Sequence, residues 1–213
     1  MTRRALLLAA LALAGCGAIQ GVRSRLPPRA PQPGPDAGEW GALRDGASRQ
    51  AKLYDGFVHR ATASATWLSP PVREAASRRL AEWQAWPPAD LEAALAAGRA
   101  DAAQGEEFVV AFYTADKKDN DLDARPSVWH VEIDDGAARA PAAAVTAERS
   151  DATLRQLFPY VGPFDTVYRI RIPWTGAPLA GRPFVLRIAG ALGAMGLDFG
   201  AQGAPPERPH QAP

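Results

Sequence analysis

The chain contains a single cysteine, Cys16, among its 213 residues. A disulfide within the chain is therefore excluded, and so is a metal site built from several thiolates. A domain formed by this chain must be stabilised by its packed core alone. Residues 40–202 are of the usual size for one domain, and they are predicted to form it.

A short apolar run stands in front of this cysteine. Arg3 and Arg4 form a charged start, and about ten apolar residues follow them. A helix that spans a bilayer needs about 20 apolar residues, so the run is too short to be one. The pattern is typical of an export signal, and residues 1–15 are predicted to be a signal peptide.

The end of this run is a recognisable motif. Leu13-Ala14-Gly15-Cys16 resembles the lipobox of bacterial lipoproteins. The resemblance implies cleavage before Cys16, a diacylglyceryl thioether on its sulfur, and an acyl chain such as palmitate on the new amino terminus. Gly17 follows, and in the enteric sorting convention this favours the outer membrane, on its periplasmic side. The alternative is an ordinary signal peptide followed by an incidental cysteine.

Charge and composition limit the partners. Without Arg3 and Arg4 the mature chain has 22 basic residues against 23 acidic ones. This balance offers no basic surface for nucleic acid. The predicted partners are the membrane, through the lipid on Cys16, and an unknown envelope protein; no cofactor is predicted.

Two proline-rich segments flank the domain. Residues 16–39 contain five prolines and few apolar residues, which predicts an extended tether after the lipidated cysteine. Residues 203–213 have a similar composition and are predicted to be a disordered tail.

Helical signals are concentrated in the first half of the domain. A short helix is predicted within residues 40–50, and one strand from about Leu53 to Leu68. Ser69-Pro70-Pro71 is a helix start, and Pro87-Pro88 ends this helix and starts another. The pair, near residues 70–103, is predicted to be a helical hairpin inserted after the first strand. Trp83 extends the apolar stripe of its first helix and is predicted to be buried.

Strand signals dominate after residue 105. Apolar or alternating segments lie at 107–114, 127–133, 142–147, 164–174, 183–189 and 192–199, with a helical turn near 151–158. In 127–133, Trp129, Val131 and Ile133 share one side. About seven short strands predict a mainly β fold, an antiparallel β-sandwich. A parallel α/β fold is disfavoured because helices do not alternate with the late strands.

The most polar segment is an acidic loop at residues 116–123. Asp119, Asp121 and Asp123 have the spacing with which a calcium-binding loop begins. The loop lacks the rest of that pattern: Ala124 replaces the glycine, and His130 occupies the twelfth position. These three carboxylates are a candidate metal site, and a solvated connection is the alternative.

Other candidate sites are sparse. His130 and Glu132 share one face of a predicted strand, which makes a mixed metal site conceivable. Hydrolase motifs such as Gly-x-Ser-x-Gly are absent from the sequence, so no catalytic residue is predicted and a non-enzyme is favoured. The loop around Tyr160 and Phe164 is aromatic, and these two residues are the candidate partner surface.

These features predict a lipid-anchored envelope protein with a non-catalytic binding or assembly role. The run from Asp119 to Ile133 also resembles a segment of the outer-membrane lipoprotein of type VI secretion systems, a tethered sandwich with helical additions. This resemblance covers about fifteen residues and lacks the aromatic segment that follows in that family. The alternative function is an exported ligand-binding or hydrolytic domain with its site near the acidic loop 116–123.

Overall fold

The computed structural model describes residues 39–200. The predicted signal peptide, Cys16, the tether up to residue 38 and the tail from residue 203 lie outside these described residues. Within them, no helix combines the length and the apolar character needed to cross a bilayer.

Among residues 39–200, nine strands form two antiparallel sheets, which confirms the mainly β fold with about two strands more than expected. The larger sheet has the order β1-β2-β3-β7-β6. Its strands are Ser48–Asp55, Val58–Trp67, Glu106–Thr114, Thr166–Ile172 and Ala144–Glu148, respectively. The smaller sheet has the order β5-β4-β8-β9. Its strands are Arg139–Pro141, Trp129–Asp134, Val185–Gly190 and Gly193–Asp198.

In the described part of the chain, four α-helices accompany the sheets: α1 Glu39–Gly46, α2 Pro70–Gln84, α3 Pro88–Ala102 and α4 Ala152–Leu157. The prolines that start α2 and α3 are tolerated there because the first-turn amides have no partner within the helix. The two helices pack on each other, as predicted, and connect β2 to β3.

The predicted strand from Leu53 to Leu68 is wrong in one respect, because the structure divides it. β1 and β2 form a hairpin whose turn follows Asp55. Gly56 has φ +58°, a left-handed conformation that glycine adopts without a Cβ penalty. The helical hairpin therefore follows the second strand, not the first.

The main core lies between the two sheets. Strand β4 shows how it is built: Trp129, Val131 and Ile133 are buried, and the residues between them are not. This is the predicted alternation. An aromatic group fills one end of this core, where Phe184 stacks on Phe199 at 5.0 Å.

A second apolar cluster covers the outer face of the larger sheet. Val109 and Ala111 of β3 face Trp40 of α1, Val72 of α2 and the α4 region. Polar residues of β2 are buried in this layer because they find partners: the Thr66 hydroxyl lies 2.6 Å from Ser48 Oγ and 2.8 Å from the Tyr160 hydroxyl.

The sandwich has two distinct ends. Helix α1 enters at the end where β1 starts, and β9 finishes at this same end, where Arg49 Nε donates to the Asp198 carbonyl at 2.7 Å. We call it the termini end. The opposite end contains the β1–β2 turn, the start of β7 and the β8–β9 turn, since Gly193 lies against the side chain of Leu53.

Candidate functional site

A charged cluster lies on the outer face of the larger sheet, around a buried carboxylate. Glu107 of β3 is 2% exposed, and Arg169 of the neighbouring β7 donates to its Oε1 at 2.5 Å. Arg73 of α2 donates to Oε2 at 3.1 Å, and Arg171 lies 3.4 Å from the same oxygen. The cluster thus joins the helical hairpin to the sheet.

The ionisation of this cluster fits a structural role. Burial acts to raise the pKa of Glu107, but the hydrogen bond from Arg169 and the charges of Arg73 and Arg169 outweigh it, so the pKa is lowered. A carboxylate that stays charged beside three guanidinium groups, which do not give up protons, is poorly suited to exchange protons with a substrate.

The acidic loop is held by its own hydrogen bonds. Both carboxylate oxygens of Asp121 accept from the Val128 amide, at 3.3 and 3.1 Å, and Oδ1 also accepts from the Ser127 hydroxyl at 3.0 Å. Asp119 lies in a short 3-10 turn, and Asp123 is exposed. Among residues 39–200, no three His, Cys, Asp or Glu side chains are grouped so that they could hold a metal ion.

We expect Asp121→Ala to lower the free energy of unfolding by about 1–2 kcal/mol, because the amide and hydroxyl that it accepts from lose their partner. The matched variant Asp123→Ala removes an exposed carboxylate and should change the free energy of unfolding by less than about 0.5 kcal/mol. Urea denaturation with calcium and with a chelator is the measurement. If both variants lost the same stability, and lost it only when calcium is present, the result would contradict this structural role. It would indicate a calcium site instead.

His130 and Glu132 do lie close together, with Nε2 and Oε2 3.5 Å apart. Two arginines approach the same carboxylate: Arg187 at 3.5 Å and Arg139 at 3.9 Å. His59 is elsewhere, with its ring between those of Tyr54 and Tyr113. Positive charge beside Glu132 disfavours a cation there.

The structure separates the two predicted partner-surface residues. The Tyr160 hydroxyl bonds to Thr66 and donates to the Val109 carbonyl at 3.1 Å, and burial raises its pKa. It therefore joins the helical layer to the sheet. Phe164 is 81% exposed. Trp83, predicted to be buried, is instead 37% exposed, and the guanidinium of Arg79 lies 4.9 Å from its ring centre.

A groove of about 400 Å³ lies between α1 and α2. Apolar residues such as Leu43, Pro71 and Ala75 line it. Its charged rim includes Arg78 and Glu74, which pair with each other at 2.6 Å. Glu39, Glu82 and Arg79 also line the groove, so it presents a mixed apolar and charged contact surface.

Exposed apolar residues are concentrated at the end opposite the termini. Among residues 39–200, the large apolar side chains that stay exposed there are Tyr54, Phe57, Val58, Val128, Phe164 and Leu192. Trp83 is the other exposed one in the described part of the chain. We call this surface the apolar end. Sequence reasoning found Phe164 but missed the β1–β2 turn, where Asp-Gly was the available turn signal.

The chain was compared with models of known protein families, with curated proteins and with solved structures, and none of the three comparisons returned a match.

Proposed function

We propose that this chain is a lipid-anchored protein of the bacterial cell envelope, at the outer membrane, whose domain has a non-catalytic binding or assembly role. The anchor is supported by Leu13-Ala14-Gly15-Cys16, with its charged and apolar lead-in. The binding role is supported by the apolar end.

The apolar end is the observation that carries the binding role. Scattered exposed apolar residues are normal on a protein surface, whereas a group of them at one place marks an interaction site. Here six of the exposed large apolar side chains lie at one end of the sandwich, four in turns or loops and two, Tyr54 and Val58, at strand ends next to the β1–β2 turn. Burial of this end against another envelope component would remove them from water.

The ionisable groups are consistent with a non-catalytic role. Glu107 and its arginines join the helices to the sheet, and Asp121 closes a loop. Catalytic groups are usually found converging on a concave pocket with pKa values shifted toward neutrality. The clusters described above have the opposite character, because their charges are already paired.

We expect Cys16→Ser to abolish lipid modification and to move the protein from the detergent-rich to the aqueous phase on phase partitioning. Serine has no thiol to form the thioether, and all acyl chains on the mature product depend on that step. Mass spectrometry of the amino-terminal peptide is the direct measurement. Gly17→Ser is the matched control and should keep the lipid; a bare thiol on the wild-type product would overturn the anchor.

A further inference from the structure

We propose that the tip of the β1–β2 hairpin, made of Phe57 and Val58 with Tyr54 behind them, inserts into the lipid bilayer and is a second membrane attachment point. This inference rests on the proposed lipid anchor at Cys16 and names what the apolar end binds. Phe57 is 105% exposed, so its side chain has almost no contact with the rest of the described molecule, while Val58 and Tyr54 are about half exposed, at 53% and 54%.

The hairpin projects from the sheet. The β2–β3 ladder ends at Ala61 opposite Thr114, and just beyond it the Ala115 amide donates to the Arg60 carbonyl at 2.8 Å, whereas β2 itself starts at Val58. Two residues at about 3.3 Å each carry the tip roughly 7 Å beyond the last of these contacts. Phe57, in the turn, is therefore the part of the hairpin that first touches a flat surface.

The hairpin is held in place before it binds anything. The ring of His59 lies 5.1 Å from that of Tyr54 and stacks at 5.4 Å on that of Tyr113, which belongs to β3. His59 Nε2 is also 2.7 Å from the Thr62 hydroxyl. A braced hairpin loses little conformational entropy when Phe57 is buried, so the burial is favoured.

Polarity along the hairpin follows that of a membrane surface. Phe57 and Val58 stand at the tip, and the rings of Tyr54 and Tyr113, with polar edges, stand behind them. Tyrosine is enriched where hydrocarbon meets the headgroups. Asp55 lies near the turn, but Arg60 pairs with it at 2.8 Å, so the hairpin brings no net charge from this pair to the membrane. Insertion is thus shallow and driven by apolar contact.

The anchor keeps the bilayer within range of the tip. Residues 17–38 separate Cys16 from the first described residue, and a chain of that length extends to at most roughly 75 Å. Strand β2, with ten residues, is only about 33 Å long. The domain can therefore turn its apolar end back to the membrane that holds Cys16, at the high effective concentration that a tether provides. A protein partner would have to present a pocket that matches the hairpin tip in shape, whereas a bilayer can bury the tip without such a match.

The test uses the mature lipoprotein carrying Val58→Cys, labelled with an environment-sensitive nitrobenzoxadiazole dye and reconstituted into phosphatidylcholine vesicles. With the sulfur of Cys16 in the proposed thioether, the added cysteine is the one free thiol of the mature chain. We expect blue-shifted emission that doxyl-labelled lipid quenches. The matched label at Ala97→Cys, on the exposed side of α3, should keep the emission of dye in water.

We next add Phe57→Ser to the labelled Val58→Cys protein. The ratio of membrane-inserted to free hairpin should fall at least about tenfold, since the variant has no phenyl ring to bury in the bilayer. Replacing part of the phosphatidylcholine by anionic phosphatidylglycerol should change the ratio of inserted to free hairpin by less than Phe57→Ser does, since the Asp55–Arg60 pair carries no net charge and Lys52 adds one exposed cation behind it.

Unquenched emission at position 58 would overturn the proposal. A blue shift without lipid quenching that grows with the number of proteins per vesicle would overturn it in favour of a second copy. Protection of position 58 that appears only with added envelope proteins would overturn it in favour of a protein partner. The mass of the Cys16 peptide, read on the same sample, tests the anchor separately, so either proposal can fail alone.

Discussion

Phe184→Ala is expected to lower the free energy of unfolding by about 3–5 kcal/mol. Phe184 is 2% exposed and lies just before β8. Its ring meets Trp67 of β2 edge-on at 5.1 Å and stacks on Phe199 after β9 at 5.0 Å. Truncation would leave a cavity between the two sheets and remove contacts from both, so the cost combines lost apolar transfer with lost ring contacts.

The matched variant is Phe57→Ala, which makes the same chemical change at a fully exposed position. We expect its unfolding free energy to stay within about 0.5 kcal/mol of the wild type. Urea denaturation followed by tryptophan fluorescence measures both variants. A large loss of stability in Phe57→Ala would show that this ring packs inside the molecule, and a small loss in Phe184→Ala would contradict the packing of the sheets described above.

Glu107→Gln is expected to lower the free energy of unfolding at pH 7 by about 2–3 kcal/mol. Removing one partner of a buried ion pair leaves the others without compensation. The charge of Arg73, which is 11% exposed, is the least compensated by water after this change. Its Nε and Nη2 atoms are already buried without a hydrogen-bond partner among the described residues. Arg169 and Arg171 are 37% and 36% exposed and can be hydrated, so we expect a smaller loss than the roughly 3–5 kcal/mol that follows when a fully buried pair loses one partner.

The pH dependence has a definite sign. The pKa of Glu107 in the folded protein lies below its ordinary value of 4.5, so its stabilising effect is present above pH 4.5 and is lost as the pH falls through the folded value. The difference in stability between wild type and Glu107→Gln should therefore shrink on acidification. Denaturation curves from pH 7 to pH 3 measure it; a constant difference would contradict the ion-pair explanation.

The neighbouring Glu106 provides the control because its shift is opposite. Burial raises its pKa, although the indole N–H of Trp67 donates to it at 2.7 Å. The folded protein therefore favours the protonated form of Glu106. The stability that this protonation contributes is present below pH 4.5 and is lost as the pH rises through the folded pKa. Glu106→Gln mimics the protonated form and can still accept from Trp67, so its stability at pH 7 should be equal to or above that of the wild type.

Local patterns explain why so much of the fold was predictable. Alternation in β4 identified the buried side of a strand, and the paired prolines marked the starts of α2 and α3. Both signals depend on neighbours within a few residues. The prediction of one strand over Leu53 to Leu68 failed because alternation continues through both arms of a hairpin, and only the turn at Gly56 separates them.

The candidate site was less predictable, because its residues come together from distant parts of the chain. Glu107 meets Arg73 and Arg169, which are 34 and 62 positions away. Tyr160, grouped with Phe164 by sequence, bonds to Thr66, 94 positions away, and its side chain is half-buried. No short pattern contains such pairs, so sequence reasoning could not place them.

By itself, the sequence determined the single thiol at Cys16 and its apolar lead-in, the starts of the central helices, and the period of the late strands. These properties follow from covalent chemistry and from contacts between residues close in the chain. The tertiary structure alone decided which charges are buried together and which aromatic rings stay in water. Burial depends on the packing of two sheets and four helices against one another, and this packing joins residues that the chain order keeps apart.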